Sequence, residues 1–181
     1  MRDGGAIVGV SDHGGWAVLV TVSQDGGLLD RRRVELVGEG LPRLPYHHDA
    51  QGLPEEEAVE LVERVRRSAE VQAAAALAAV AASVPAARGI ALRACRALPV
   101  TIAERLRDYR AQNTADWVMY RQALAGAAEA RGWQVHWYDA KGVLKELAPR
   151  LAEVRKAVGP PWNNDHRLAM GAAIEAHARI P

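Results

Sequence analysis

Apolar residues follow two rhythms along this chain. Ala6-Ile7-Val8-Gly9-Val10 is an unbroken apolar run between Gly4-Gly5 and Gly14-Gly15, and it reads as a buried strand. Trp16 to Val22 is a second run, rich in β-branched residues, and the glycine pair before it predicts a hairpin. Asp25-Gly26-Gly27 supplies the positive φ angles of a second tight turn. Leu28 to Val37 then reads as a third strand, with Arg31, Arg33 and Glu35 on one face. Charge on both faces of that segment suits a sheet edge.

The period then lengthens. Gly38 to Gly52 is a loop carrying Tyr46-His47-His48-Asp49. Pro54 opens a helix with Glu55, Glu56 and Glu57 in its first turn, where the helix dipole favours acids. This helix runs towards Ser83 before Pro85. Its first half is amphipathic, through Val59, Val62, Val65 and Ala69, while its second half is rich in alanine. Gly89 to Leu92 reads as a fourth strand. Thr101 and Glu104 have capping-box spacing for a helix, with a break near Asn113 or Thr114 and a further helix to Arg131-Gly132. Gln134 to Tyr138 is a fifth strand. Lys141 to Val158 is helical around an interruption at Pro149, and a last helix runs from Asn164 or Asp165 to about His177.

Hairpins make the first three strands antiparallel neighbours. The two later strands follow helices, which predicts right-handed crossovers and parallel pairing. The expected architecture is one α/β domain spanning 1–181, with a mixed five-stranded sheet in the order 3-2-1-4-5 and helices on its faces.

Composition narrows the function classes. The chain has 181 residues, 23 Lys plus Arg against 22 Asp plus Glu, and a formal net charge of +1. A uniformly basic surface is excluded, although a local basic groove is not. The single Cys95 excludes a disulfide framework and a cysteine-rich zinc site. Its neighbours Arg93 and Arg96 would lower the thiol pKa at an exposed position. No apolar stretch is long enough to span a membrane, so the expected compartment is the cytoplasm. The arginines at 31–33, 64–67 and 105–110 read as solvated faces. Trp117, Tyr120, Trp133 and Trp137 read as core or interface aromatics.

A meander passing into βαβ units, together with Val8-Gly9-Val10-Ser11-Asp12-His13-Gly14-Gly15-Trp16, resembles RNase H-like nucleases of the retroviral-integrase superfamily. The resemblance implies an RNase H-like three-layer fold and cleavage of structured nucleic acid by two Mg²⁺ or Mn²⁺ ions held by carboxylates. The implied acids lie on the first strand, at the end of the fourth and on the last helix. The corresponding candidates are Asp12, Asp139 (at the end of strand five) and Asp165 as metal ligands, with His166 or His13 positioning water or moving a proton. The family acid directly after the first apolar run is Ser11 here, so Asp12 stands one residue late and its side chain is expected on the opposite face. Arg93-Ala94-Cys95-Arg96 has no acid. Leu168 stands where resolvase-like relatives carry an acid.

Other readings of the same residues stay open. Asp12 can stabilise the glycine turn, and Asp139 and Asp165 can cap helices. His13, His47 and His48 are nitrogen donors suited to zinc or manganese. A catalytically silent domain of the same fold, paired as a homodimer through the alanine-rich helix, is the alternative to a nuclease.

Overall fold

The alternation of apolar residues along the first strand is what divides this molecule into layers. The structure is a computed structural model that describes residues 5–179. Three strands, β1 (Ala6–His13), β2 (Trp16–Val22) and β3 (Leu28–Glu35), form the antiparallel meander. Then come α1 (Glu55–Ser83), β4 (Ala87–Arg93), α2 (Ile102–Arg107) and α3 (Tyr109–Ala130). The last elements are β5 (Gln134–Tyr138), α4 (Ala140–Glu146), α5 (Ala148–Val158) and α6 (Asn164–Ala178). The sheet order is β3-β2-β1-β4-β5, with β4 parallel to both β1 and β5. This is the RNase H-like arrangement that the element order predicts.

Even-numbered residues of β1 point to one face. Val8 and Val10 there meet Leu19 of β2 and the α1 residues Val62, Val65, Ala69 and Leu77, together with Tyr120 and Leu124 of α3. Odd-numbered residues point to the other. Ile7, with Val18, Val20 and Ala91, packs against Ala169, Met170 and Ala173 of α6. Gly9 is the point of closest approach. A Cβ there would lie 1.7 Å from the carbonyl oxygen of Ala169, so α6 rests directly on strand backbone.

Several boundaries differ from the sequence reading for local reasons. β1 continues through Ser11, Asp12 and His13 instead of ending at Val10, and Asp12 pairs with Ala17 as a strand residue, not as a turn residue. The third strand ends at Glu35, opposite Trp16, and the Leu36 N–H donates to the Gly15 carbonyl one step further along the same register. The helix break falls at Asp108, whose carboxylate accepts from the N–H groups of Arg110 and Ala111 and caps α3. The last helix is capped by Asn163, not by Asp165. Asp139 caps α4.

The loop after β3 contains a single π-helical turn at Pro45–Asp49. It is held from below by Asp116 of α3, whose two carboxylate oxygens accept from the N–H groups of Tyr46 and His47, both at 3.0 Å. Burial of this carboxyl pushes its pKa up to about 7, against the pull of those two hydrogen bonds. A raised carboxyl means that the folded chain holds a proton the unfolded chain has lost. Stability should therefore fall as pH rises from about 4 to 7, by on the order of 4 kcal/mol at ~1.4 kcal/mol per pH unit, and level off above. Urea unfolding at stepped pH measures this, and Asp116→Asn should flatten the slope across that window.

Arg31 of the edge strand is not a solvated residue. Its guanidinium donates to the carbonyls of Val158, Gly159, Pro160 and Pro161, at 3.3, 3.1, 3.3 and 2.8 Å, and so fastens the chain that leads into α6. Arg66 pairs with Glu63 and Glu70, and Arg107 with Glu55, in keeping with solvated ion-pair faces.

Candidate functional site

The carboxyl ends of β1 and β4 meet the start of α6 at one rim of the sheet, and strand alternation decides which side chains share it. Odd-numbered Ser11 and His13 point towards α6. There Ser11 Oγ donates to Asp165 Oδ1 at 2.8 Å, and His13 Nε2 lies 2.8 Å from the same oxygen. The imidazole stacks on Trp16 at 4.0 Å with planes 6° apart, and the Arg33 guanidinium covers the indole at 4.2 Å. His13, Trp16 and Arg33 thus form a short polar stack beside the carboxylate of Asp165.

Asp12 points the other way. Its carboxylate is fully enclosed on the α3 side of the sheet, where Arg121 Nε donates to Oδ2 at 2.8 Å. Oδ1 is buried with no partner. Arg121 also donates to the carbonyl of Ala94 at 3.3 Å, which ties α3 to the chain leaving β4. The neutralised pair Asp12–Arg121 therefore sits under one face while Ser11–Asp165–His13 sits on the other.

The expected three-carboxylate centre does not form. Asp12 and Asp165 lie on opposite faces of β1, for the reason the one-residue offset implies: neighbouring strand residues alternate, and no bulge interrupts β1 at Ser11 or Asp12. Asp139 is exposed and engaged as the cap of α4. His166 is buried, with Nδ1 2.7 Å from Asn163 Oδ1 at the head of α6. Burial, and then the charge of Arg31, hold its pKa below the usual histidine value. His47 and His48 sit on the π-helical turn, where they contact each other edge to face and His47 meets Trp117. Among the described residues no three His, Cys, Asp or Glu side chains gather as a metal site.

The donor set also disfavours a divalent pair chemically. Ser11 offers a neutral hydroxyl where a carboxylate is expected. Leu168 is buried and apolar. The last residue of β4 is Arg93, and the strand carries no acid. Arg93 pairs in register with Tyr138, and alternation from Ala91 directs it to the α6 face. The residues present therefore do not fit two Mg²⁺ or Mn²⁺ ions.

Two residues of the rim carry little local signal. Arg121 lies mid-helix on α3, 109 positions from its partner, and only its place on the buried stripe with Val118, Leu124 and Ala125 marks it. Tyr138 donates its hydroxyl to the carbonyl of Val10 at 2.6 Å, and burial raises its pKa. Cys95 is half-buried, and burial raises its thiol pKa against the lowering effect of Arg121. It is no activated nucleophile.

No family model matches the chain. No curated protein matches it either. Among solved structures it is similar to T. thermophilus RuvC in complex with Holliday junction substrate, with a TM-score of 0.55 and 15% identity over 93% of this chain and 90% of that one. A second Thermus thermophilus RuvC structure gives a TM-score of 0.49 and 14% identity over 93% and 91%. The first likeness shows a shared RNase H-like fold as in RuvC. No helix among the described residues is long and apolar enough to cross a membrane.

Proposed function

We propose that this chain is a nuclease-like RNase H domain that engages structured nucleic acid at the carboxyl rim of its sheet without cutting it by the paired-metal route. The observation that carries the reading is the division of the acids, with Asp12 locked to Arg121 under one face and Asp165 bonded to Ser11 and His13 on the other. A two-metal mechanism needs carboxylates converging on ions about 4 Å apart. The similar RuvC structure holds a Holliday junction, which makes branched DNA the first substrate class to test.

The test combines binding and cleavage on one set of probes. Labelled four-way junction, nicked duplex, RNA–DNA hybrid and single strand are incubated with the protein in Mg²⁺, Mn²⁺ or EDTA. Retarded complexes of the junction with no metal-dependent products are expected. Metal-dependent cleavage that disappears in Asp12→Asn or Asp165→Asn would restore the nuclease reading, with those acids and Asp139 as ligands, and overturn binding without cleavage.

A second reading is a silent domain that pairs with its own copy. Val71 is 66% exposed on α1, and Ala74, Ala75, Ala78 and Ala79 beside it also face outward. Light scattering at micromolar protein separates the two: a dimer that Val71→Glu dissociates supports pairing through α1.

A further inference from the structure

A groove runs along the first half of α3, on the side of the molecule away from Asp165. It consists of two adjoining cavities that share Arg96 and Thr114. The inner one, of 340 Å³, is lined by Arg96, Asn113, Trp117 and Arg121, with Arg93 at its β4 border, and none of its lining residues carries a carboxylate. The outer one, of 260 Å³, continues past Leu98 and Pro99 to Arg110, with Asp108 spent on capping α3. Arg96, Arg110 and Arg121 thus line one continuous depression, although the chain as a whole is nearly neutral.

Their charges are not equally engaged. Arg121 is bound to Asp12, yet that bond fixes the guanidinium and leaves it beside the cavity. Arg96 is exposed, and among the described residues neither it nor Arg110 has a carboxylate within ion-pair distance. Trp117 supplies a partly exposed aromatic wall, set edge to face with His47. Fixed and free guanidinium groups next to an indole match a phosphate with a base attached. The guanidinium fork binds phosphate oxygens, and the indole offers a face for stacking.

We infer that this groove is a metal-independent phosphate site that takes a nucleotide unit through Arg96, Arg110 and Trp117. The inference rests on the nucleic-acid reading for its larger ligand, because the nucleotide comes either from a strand or from a free nucleoside phosphate. Built-in guanidinium groups do here what bound cations do in a two-metal site: they compensate the charge of the phosphate. EDTA should therefore leave binding unchanged.

The experiment uses the full chain and the variants Arg96→Gln/Arg110→Gln and Trp117→Leu, all checked by circular dichroism. Anisotropy reports a labelled four-way junction, and tryptophan quenching reports adenosine monophosphate against adenosine. The arginine pair variant is expected to bind the junction at least about tenfold more weakly, with a salt slope lower by about one per arginine. Quenching by the monophosphate but not by the nucleoside should be lost in Trp117→Leu. Junction binding that ignores all three substitutions would sink the groove and leave the proposed function standing. Monophosphate binding lost in the variants, without any junction binding, would keep the groove and sink nucleic acid as its source. No binding of either probe, or binding that EDTA removes, would overturn the inference.

Discussion

Replacing Gly9 by alanine is expected to destabilise the fold by about 3 kcal/mol or more, beyond the usual cost of overpacking, and to leave little folded protein. The added carbon would stand 1.7 Å from the carbonyl oxygen of Ala169, 2.7 Å from its carbon and 3.0 Å from the nitrogen of Ala173. All three are backbone atoms of α6, so no side chain can turn aside. The helix itself would have to retreat from β1, and Ala169, Met170 and Ala173 would lose their contact with the sheet. Gly126 on α3 provides the control, because a Cβ there meets nothing within 4 Å. Gly126→Ala should be neutral or stabilising by up to about 1 kcal/mol. Urea midpoints for the two variants measure the difference. An unchanged midpoint for Gly9→Ala would mean that α6 does not rest on the backbone of β1.

Removing the Arg121 guanidinium is the second large effect. Arg121→Met should cost about 3–5 kcal/mol, because it strands the Asp12 carboxylate at a site with no exposed side-chain surface. The opposite change need not be as harmful, since Asp12 already has one oxygen without a partner. Asp12→Ala combined with Arg121→Met should recover most of the loss. A double-mutant cycle read by urea unfolding gives the coupling directly. Additive single effects would show that the two groups do not act as a pair. The cycle also bears on function: a carboxylate needed as a metal ligand would show its value in cleavage assays, whereas a charge partner shows it in stability.

The meander and crossovers are legible in the sequence because they depend on local pattern. Glycine pairs mark both hairpins, and the alanine-rich helix and its acidic first turn are visible in the residues themselves. The rim is less legible. Ser11, Asp12 and His13 break the apolar run, so the pattern stops at Val10, although Asp12 is as enclosed as its apolar neighbours. Its burial depends on Arg121, a partner that no local pattern indicates. The offset between Ser11 and Asp12 can be read from alternation alone, and that reading accounts for the opposite directions of Asp12 and Asp165. Asn163 is hard to single out as a cap because Asp165, close by, is an equally good candidate by type. The arginine groove is hidden for another reason. Arg96 comes from one segment and Arg110 and Arg121 from another, and only the packing of α3 beside β4 makes them neighbours.

The grip of Arg31 on four successive carbonyls has a mechanical consequence. One side chain joins the outermost strand to the segment that delivers the last helix, across about 130 residues of sequence. A foreign strand annealing along the free border of β3 must therefore either respect that clasp or forfeit four hydrogen bonds. Breaking the clasp would release the segment that leads to α6, at whose start Asp165 and His166 lie.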